Sequence, residues 1–111
     1  MNLMTEYGQT YGFTAATFVD ELKKYIDINS LDYVFINKAP IPDKLLIRYK
    51  KTQAVPVVND LSENYSFKVI ESDLLSKTVY KRQKGDTLNR SLVRHDPESL
   101  ARLCIKVMNL V

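Results

Sequence analysis

Tyr33-Val34-Phe35-Ile36 is a continuous apolar run of β-forming residues, and it decides the fold class of this chain. Such a run is typical of a strand buried on both faces, as in a parallel sheet. It ends abruptly at Asn37-Lys38, which predicts that the chain leaves the sheet there. A second β-forming run covers 67–71 and a shorter one, which contains Pro56, covers 55–58. We therefore expect a sheet of short strands, with 55–58 at a strand start or an edge.

Helices are predicted on either side of these strands. Apolar residues recur at three- and four-residue steps over 15–26, which predicts an amphipathic helix there. Thr14 is a suitable N-cap for it, and Phe13 and Phe18 are spaced for a hydrophobic staple. A second helix is expected over about 42–51, with a proline in its first turn. A third begins at Asp96-Pro97 and carries a wide apolar face to the C-terminus. This alternation indicates an α/β layer with a mostly parallel sheet.

Length and composition fit one domain. The chain has 111 residues, of which 45% are hydrophobic and 26% charged, so it can bury a core. No apolar run is long enough to span a membrane, and the first residues are not those of a signal peptide. The single cysteine, Cys104, excludes an internal disulfide and fits a cytoplasmic location. Three glycines are too few for a Gly-rich phosphate loop within these residues.

The charge is weakly basic, with a net of +3 and a pI of about 9.0. The segment 77–90 holds five basic residues and one acidic residue, so it accounts for the whole of this excess and the rest of the chain is near neutral. We expect a basic hairpin there, with its turn at 84–86. A nucleic-acid binder usually concentrates more charge than this on one face, so we expect no nucleic-acid partner.

Two short segments could bind an anion. Arg94 and His95 directly precede the N-terminus of the third helix, where free N–H groups and the helix dipole favour negative charge. The polar loop 5–10 lies just ahead of the first helix and could cradle a phosphate. A surface arginine, a structural histidine and an ordinary capping loop are the alternatives. A lone histidine without a cysteine cluster does not indicate a zinc site.

One further residue, Asn37, is placed where a ligand could lie. Asn37 follows the most buried strand, and ligands of α/β proteins bind at the carboxyl ends of parallel strands. It could equally serve as a turn-forming asparagine. Tyr49 falls on the apolar face of its helix, where a core role is the simpler interpretation.

Several segments, taken in order, resemble one known family. This is the family of 2-phospho-L-lactate transferases (CofD-like) and gluconeogenesis factors (YvcK-like). The opening loop, Met4-Thr5 through Thr14, is similar to the family's Met-Thr-x-Pro-Gly-Glu-Thr-Asp-Gly loop, and the closing segment Arg94-His95-Asp96-Pro97 is similar to its terminal motif. The segments 34–37, 41–49 and 56–60 are similar to its intervening strand, helix and Pro-Val-x-x-Asp motif.

The resemblance implies a Rossmann-like α/β fold of which this chain is the C-terminal part, with 77–90 as an inserted basic hairpin. It implies a nucleotide-linked ligand across the ends of the strands. The transferases move phospholactyl from a guanine-nucleotide carrier with magnesium, whereas the gluconeogenesis factors bind UDP-sugars and affect carbon metabolism, cell-wall synthesis and hence cell shape. The family's ligand-contacting arginine and tyrosine fall on Arg94 and Tyr49. Its loop would place Thr5, Gly8 and Thr10 near the site, with Asn37 beside it, and His95 is a candidate through its position after Arg94.

Departures from the family pattern weaken a catalytic interpretation. Gln9 stands where the family has glutamate, Tyr11 where it has aspartate, and Tyr7 where it has proline. Losing two acids disfavours a magnesium site, so we expect no metal or cofactor bound by this chain alone, and magnesium only in a complete protein. No catalytic residue is assigned.

Three functions remain open at this point. The first is one part of a UDP-N-acetylglucosamine-like nucleotide-sugar site, regulatory and incomplete without a missing N-terminal half. The second is half of a magnesium-dependent phospholactate-type transferase. The third is a non-enzymatic module that associates with itself, since a partial sheet exposes apolar surface.

Overall fold

The computed structural model of the protein describes residues 1–77 and 93–109. Within these residues, three α-helices and two β-strands alternate in the order that the sequence predicts. A single 3₁₀ turn, Ile28–Ser30, precedes the first strand. The elements are α1 (Ala15–Leu22), β1 (Tyr33–Asn37), α2 (Asp43–Lys50), β2 (Lys68–Ser72) and α3 (Pro97–Met108).

The two strands form a small parallel sheet. Tyr33 lies opposite Lys68 and Asn37 opposite Ser72, and the connection between the strands contains α2. The apolar run that begins at Tyr33 is therefore a strand of a parallel sheet, as its composition predicts. This sheet with its flanking helices confirms the α/β class.

Short antiparallel contacts extend this framework on both sides. Leu75 bridges His95, so the segment after β2 holds the segment that leads into α3. Met4 bridges Pro56 in the same way. The expected strand over 55–58 is wrong as a regular element, because Pro56 has no N–H group to donate and the pairing is limited to this bridge.

Helix α1 begins as predicted and ends early. The Thr14 side chain accepts a hydrogen bond from the Thr17 N–H, and Phe13 packs edge-on against Phe18 with ring centroids 5.2 Å apart. Beyond Leu22 the chain continues in tight turns rather than to residue 26. Tyr25 and Ile26, which the periodicity places on the buried face, are therefore exposed.

Helix α2 matches its predicted position within one residue, and α3 begins where predicted and extends to Met108. In α2 the apolar residues Leu45, Leu46 and Tyr49 are half-buried. Asp96 caps α3 by accepting a hydrogen bond from the Ser99 N–H. The small core between helices and sheet consists of Ala15, Val19, Ile36, Ala54, Phe67, Leu74, Val93 and Val107.

One predicted feature lies outside the described residues. The basic hairpin expected over 77–90 falls almost entirely in 78–92.

Within the described part of the chain, no helix combines the length and the hydropathy needed to cross a bilayer.

Candidate functional site

An open cleft of about 930 Å³ lies between the N-terminal segment, α2 and the segment that leads into α3. These three parts of the chain are distant in sequence. Thr5 bonds to Val55 after α2, and Tyr49 of α2 bonds to Val93 before α3. The lining residues are Asn2, Leu3, Met4, Thr5, Glu6, Tyr7, Arg48, Tyr49, Thr52, Ala54, Val93, Arg94 and His95.

Thr5 forms the buried base of the cleft, with only 3% of its surface exposed. Its N–H donates to the Val55 carbonyl oxygen at 2.8 Å, and its Oγ1 accepts from the Val55 N–H at 3.0 Å. The backbone of the opening loop is therefore fixed to the 54–57 segment, and the Thr5 hydroxyl still has its proton to donate.

Helix α2 contributes two adjacent residues, Arg48 and Tyr49. The half-buried Tyr49 hydroxyl accepts a hydrogen bond from the Val93 N–H at 3.0 Å, which ties α2 to the segment before α3. Arg48 is exposed and lines the cleft. From sequence, the helical periodicity predicts that Arg48 faces solvent. Its position next to Tyr49 is the one sequence feature that points to the cleft.

Arg94 and His95 form the opposite side of the cleft. The Ser76 N–H donates to the Arg94 carbonyl oxygen at 2.9 Å, and the Asp96 N–H donates to that of Leu74 at 2.7 Å. Burial, together with the positive charge of the N-terminal ammonium group, lowers the pKa of His95; a hydrogen bond with the Met1 backbone acts in the opposite direction. A lowered pKa favours the uncharged imidazole, so the positive charge that lines the cleft is that of the arginines.

The N-termini of the two helices near the predicted anion segments are already capped by the chain itself. In α1 the Ala15 N–H donates to the Val58 carbonyl oxygen, and the Ala16 N–H donates to the Asp60 carboxylate, both at 2.9 Å. Hydrogen bonds from Thr14 and Ala16 hold the pKa of Asp60 below its usual value. In α3 the Asp96 carboxylate has the same capping role. Any attraction for anions in the cleft therefore comes from side chains.

The loop that follows Thr5 is a compact turn. Gly8 has a φ of +84°, a conformation that favours glycine, and Thr10 Oγ1 accepts from the Glu6 N–H at 2.7 Å. Neither Gly8 nor Thr10 lines the cleft, although both shape the loop that brings Tyr7 to it.

Asn37 lies at the end of β1 and lines a second, smaller cavity of about 390 Å³. Its Oδ1 accepts from the N–H groups of Ala39 at 3.1 Å and Leu74 at 2.9 Å, and its Nδ2 donates to the Ala39 carbonyl oxygen at 2.9 Å. The Asn37 side chain thus has the turn-forming role that the sequence left open.

The donor set of the cleft does not fit a magnesium site within this chain. Mg²⁺ prefers several carboxylate and other oxygen ligands, whereas Glu6 is the one carboxylate among the lining residues and two arginines accompany it. Across residues 1–77 and 93–109, no three His, Cys, Asp or Glu side chains cluster as metal ligands would.

The chain matches known proteins over most of its length. The family model described as 2-phospho-L-lactate transferase CofD matches residues 1–75. A candidate gluconeogenesis factor of Thermoanaerobacterium thermosulfurigenes is 32% identical over 109 residues, which cover 96% of this chain and 30% of that protein. The gluconeogenesis factor of Bacillus subtilis strain 168 is 26% identical, covering 96% of this chain and 31% of the relative.

Solved structures show the same fold. A crystal structure of a UPF0052 family member from Bacillus halodurans superimposes with a TM-score of 0.71 at 19% identity, over 94% of this chain and 30% of the other. This chain therefore spans about 30% of the length of the relatives that it matches. From the match over residues 1–75 and the shared α/β fold, we conclude that the chain belongs to the 2-phospho-L-lactate transferase CofD family, which here includes proteins named gluconeogenesis factors.

Proposed function

We propose that the cleft binds the phosphates of a nucleotide sugar such as UDP-N-acetylglucosamine, as one side of a larger site. The observation that carries this proposal is that two arginines from distant segments, Arg48 and Arg94, line one cleft. The family resemblance implies Thr5, Tyr49 and Arg94 at or near the ligand, and these three residues line the same cleft together with His95.

The chemistry of these side chains suits a diphosphate. A guanidinium group donates two parallel hydrogen bonds to phosphate oxygens and keeps its charge at any physiological pH. The Thr5 hydroxyl and a neutral His95 add uncharged donors. Glu6 disfavours a free anion beside it, so the ligand's phosphates are expected near the arginines and its uncharged parts near Glu6.

Binding to this chain alone is expected to be weak. The cleft is open, and the relatives have about three times as much polypeptide with which to enclose a ligand. We expect a Kd in roughly the millimolar range, where added ligand barely raises the melting temperature. A shift of several degrees that Arg94→Ala abolishes would overturn the view that the chain holds only part of the site.

A titration followed by two-dimensional ¹⁵N NMR tests the proposal. UDP-N-acetylglucosamine should shift the amide signals of Thr5, Val93 and Arg94, whereas N-acetylglucosamine, which has neither a phosphate nor a base, should not. Arg94→Gln should remove these shifts. Arg102→Gln is the matched control, because Arg102 is an exposed arginine on α3 that pairs with Glu98 away from the cleft. Unchanged cleft signals, or equal binding by Arg94→Gln, would refute a phosphate site.

The transferase interpretation has less support in this chain. It requires magnesium, for which the cleft offers the Glu6 carboxylate beside two arginines. Magnesium-dependent phospholactyl transfer by this chain mixed with an N-terminal segment of a relative would support it. No turnover in a full-length relative that carries the same Gln9 and Tyr11 would count against it.

A second candidate function, self-association, rests on a specific surface of α3. Ala101, Cys104, Ile105 and Met108 follow the i, i+3, i+4, i+7 pattern and are all exposed, Ile105 by 59% and Met108 by 73%. We call these four residues the α3 stripe. The adjacent face of the helix, with Val107, packs into the core, so the wide apolar face predicted from the sequence is only half covered. We propose that a second copy covers the α3 stripe when no other polypeptide does.

Sedimentation velocity and cross-linking test this contact. We expect a concentration-dependent dimer that Met108→Lys converts to a monomer, and a bismaleimide cross-link through Cys104, which lies within the stripe. Ile47→Lys, which changes an equally exposed isoleucine on α2, should leave the dimer intact. A monomer at the highest soluble concentration would exclude the association.

A further inference from the structure

Two pairs of aromatic rings lie near the start of the chain, and the fold accounts for only one of them. Phe13 and Phe18 pack against each other as the staple of α1. Tyr7 and Tyr11 also pack edge to face, with centroids 5.5 Å apart and an interplanar angle of 80°. Both tyrosines, however, are largely exposed, Tyr7 by 60% and Tyr11 by 62%. Their exposure means that core packing does not explain them.

The tyrosine pair lies beside the cleft. Tyr7 is among the residues that line it, together with Arg48 and Arg94. The loop that carries Tyr7 is held by the Thr10 N–H donating to the Glu6 carbonyl oxygen at 2.8 Å, and by the Glu6 N–H donating to Thr10 Oγ1. Tyr7 is thus presented from a hydrogen-bonded turn and contacts a second ring.

We propose that Tyr7, held in place by Tyr11, is a stacking surface for the aromatic base of a nucleotide whose phosphates contact Arg48 and Arg94. This inference rests on the proposed function and deepens it, because it names the side chain that contacts the base of the nucleotide. Every base has a π-face, and stacking on an exposed aromatic ring contributes to affinity without hydrogen-bond readout of the base. An edge-to-face pair also leaves ring surface free for a third ring.

The proposal predicts low selectivity among bases. The tyrosine pair offers a ring surface, and stacking does not distinguish uracil from guanine by donor and acceptor pattern. We therefore expect UDP and GDP to bind this chain with similar affinity. Both should bind more tightly than inorganic pyrophosphate, which can contact the arginines but cannot stack.

The test compares UDP, GDP and pyrophosphate by NMR titration against the unmodified chain and three variants. Tyr7→Leu should weaken UDP and GDP binding by about tenfold, the range expected for one stacked base, and leave pyrophosphate binding unchanged. Tyr7→Phe should retain nucleotide affinity, because it keeps the ring. Tyr25→Leu is the matched control, since Tyr25 is 82% exposed and does not line the cleft.

The outcomes separate this inference from the function on which it rests. If pyrophosphate and both nucleotides bind equally well, or if Tyr7→Leu binds UDP normally, the stacking surface is refuted and the phosphate site stands. If none of the three ligands binds, both proposals fail. A strong preference for one base over the other would also overturn the stacking surface as the determinant of nucleotide affinity.

Discussion

Replacing Asn37 with alanine should destabilise the fold and leave the cleft intact. The Asn37 side chain makes three hydrogen bonds, two as acceptor from the N–H groups of Ala39 and Leu74 and one as donor to the Ala39 carbonyl oxygen. One of them joins the end of β1 to the segment after β2, across 37 residues of sequence. In Asn37→Ala all three partners lose their bond, and Leu74, which is 1% exposed, has little access to water as a substitute.

The magnitude follows from these three bonds. A hydrogen bond contributes about 1 kcal/mol net, so their loss should lower the free energy of unfolding by about 3 kcal/mol. Domains of this size have only about 5–15 kcal/mol in total. The melting temperature should therefore fall by on the order of 10 °C.

Urea denaturation followed by circular dichroism measures this change. The m-value should stay constant, because the surface exposed on unfolding is the same. Asn64→Ala, at an exposed asparagine in a loop, is the matched control and should change the free energy of unfolding by less than about 0.5 kcal/mol. If Asn37→Ala unfolds normally yet weakens binding of UDP-N-acetylglucosamine, the structural role argued here is wrong and Asn37 is a ligand contact.

Three further changes test other parts of the structure. Leu74→Ala should lower the free energy of unfolding by about 2–5 kcal/mol in urea, because Leu74 is the largest fully buried side chain among residues 1–77 and 93–109; a loss below about 1 kcal/mol would contradict this core. Gln53→Gly should raise the free energy of unfolding by about 0.5 kcal/mol, since Gln53 has a φ of +58° after α2, whereas Gln53→Ala should not. The lowered pKa of His95 means that the unfolded state binds more protons just below pH 6.5, so stability should fall as the pH decreases through that region. His95→Gln should flatten this part of the pH profile, and an unchanged profile would show that His95 is not the titrating group.

Local signals explain why most of the fold could be predicted. Capping residues begin α1 and α3 where Thr14 and Asp96 stand, and the apolar run from Tyr33 to Ile36 is a strand. The end of α1 was misjudged because the apolar period continues to Ile26 while the chain has already left the helix. The spacing of apolar residues predicts which residues could share a helix face, but it does not predict the residue at which the helix ends.

The candidate site was harder to predict because it is assembled from distant segments. Family resemblance alone predicts Tyr49 near a ligand, whereas Arg94 is also predicted there by its position before a helix N-terminus; in the structure both residues line one cleft. Arg48 was missed, because a helix residue at the edge of the polar face looks the same in sequence whether it borders solvent or a cleft. Gly8 and Thr10 were expected at the ligand, and the structure places them in the turn behind Tyr7.

A hydrogen bond between uncharged groups joins the two segments that carry the arginines of the cleft. Arg48 lies on α2 and Arg94 on the segment before α3, and the Tyr49 hydroxyl links these two parts through the Val93 N–H at 3.0 Å. The helix N-termini add little, because Asp60 and the Asp96 carboxylate already neutralise them. In the proposed site the phosphates contact two guanidinium groups, and the link through Tyr49 joins the two segments that carry them. On this proposal Tyr49 is a positioning residue for the phosphates.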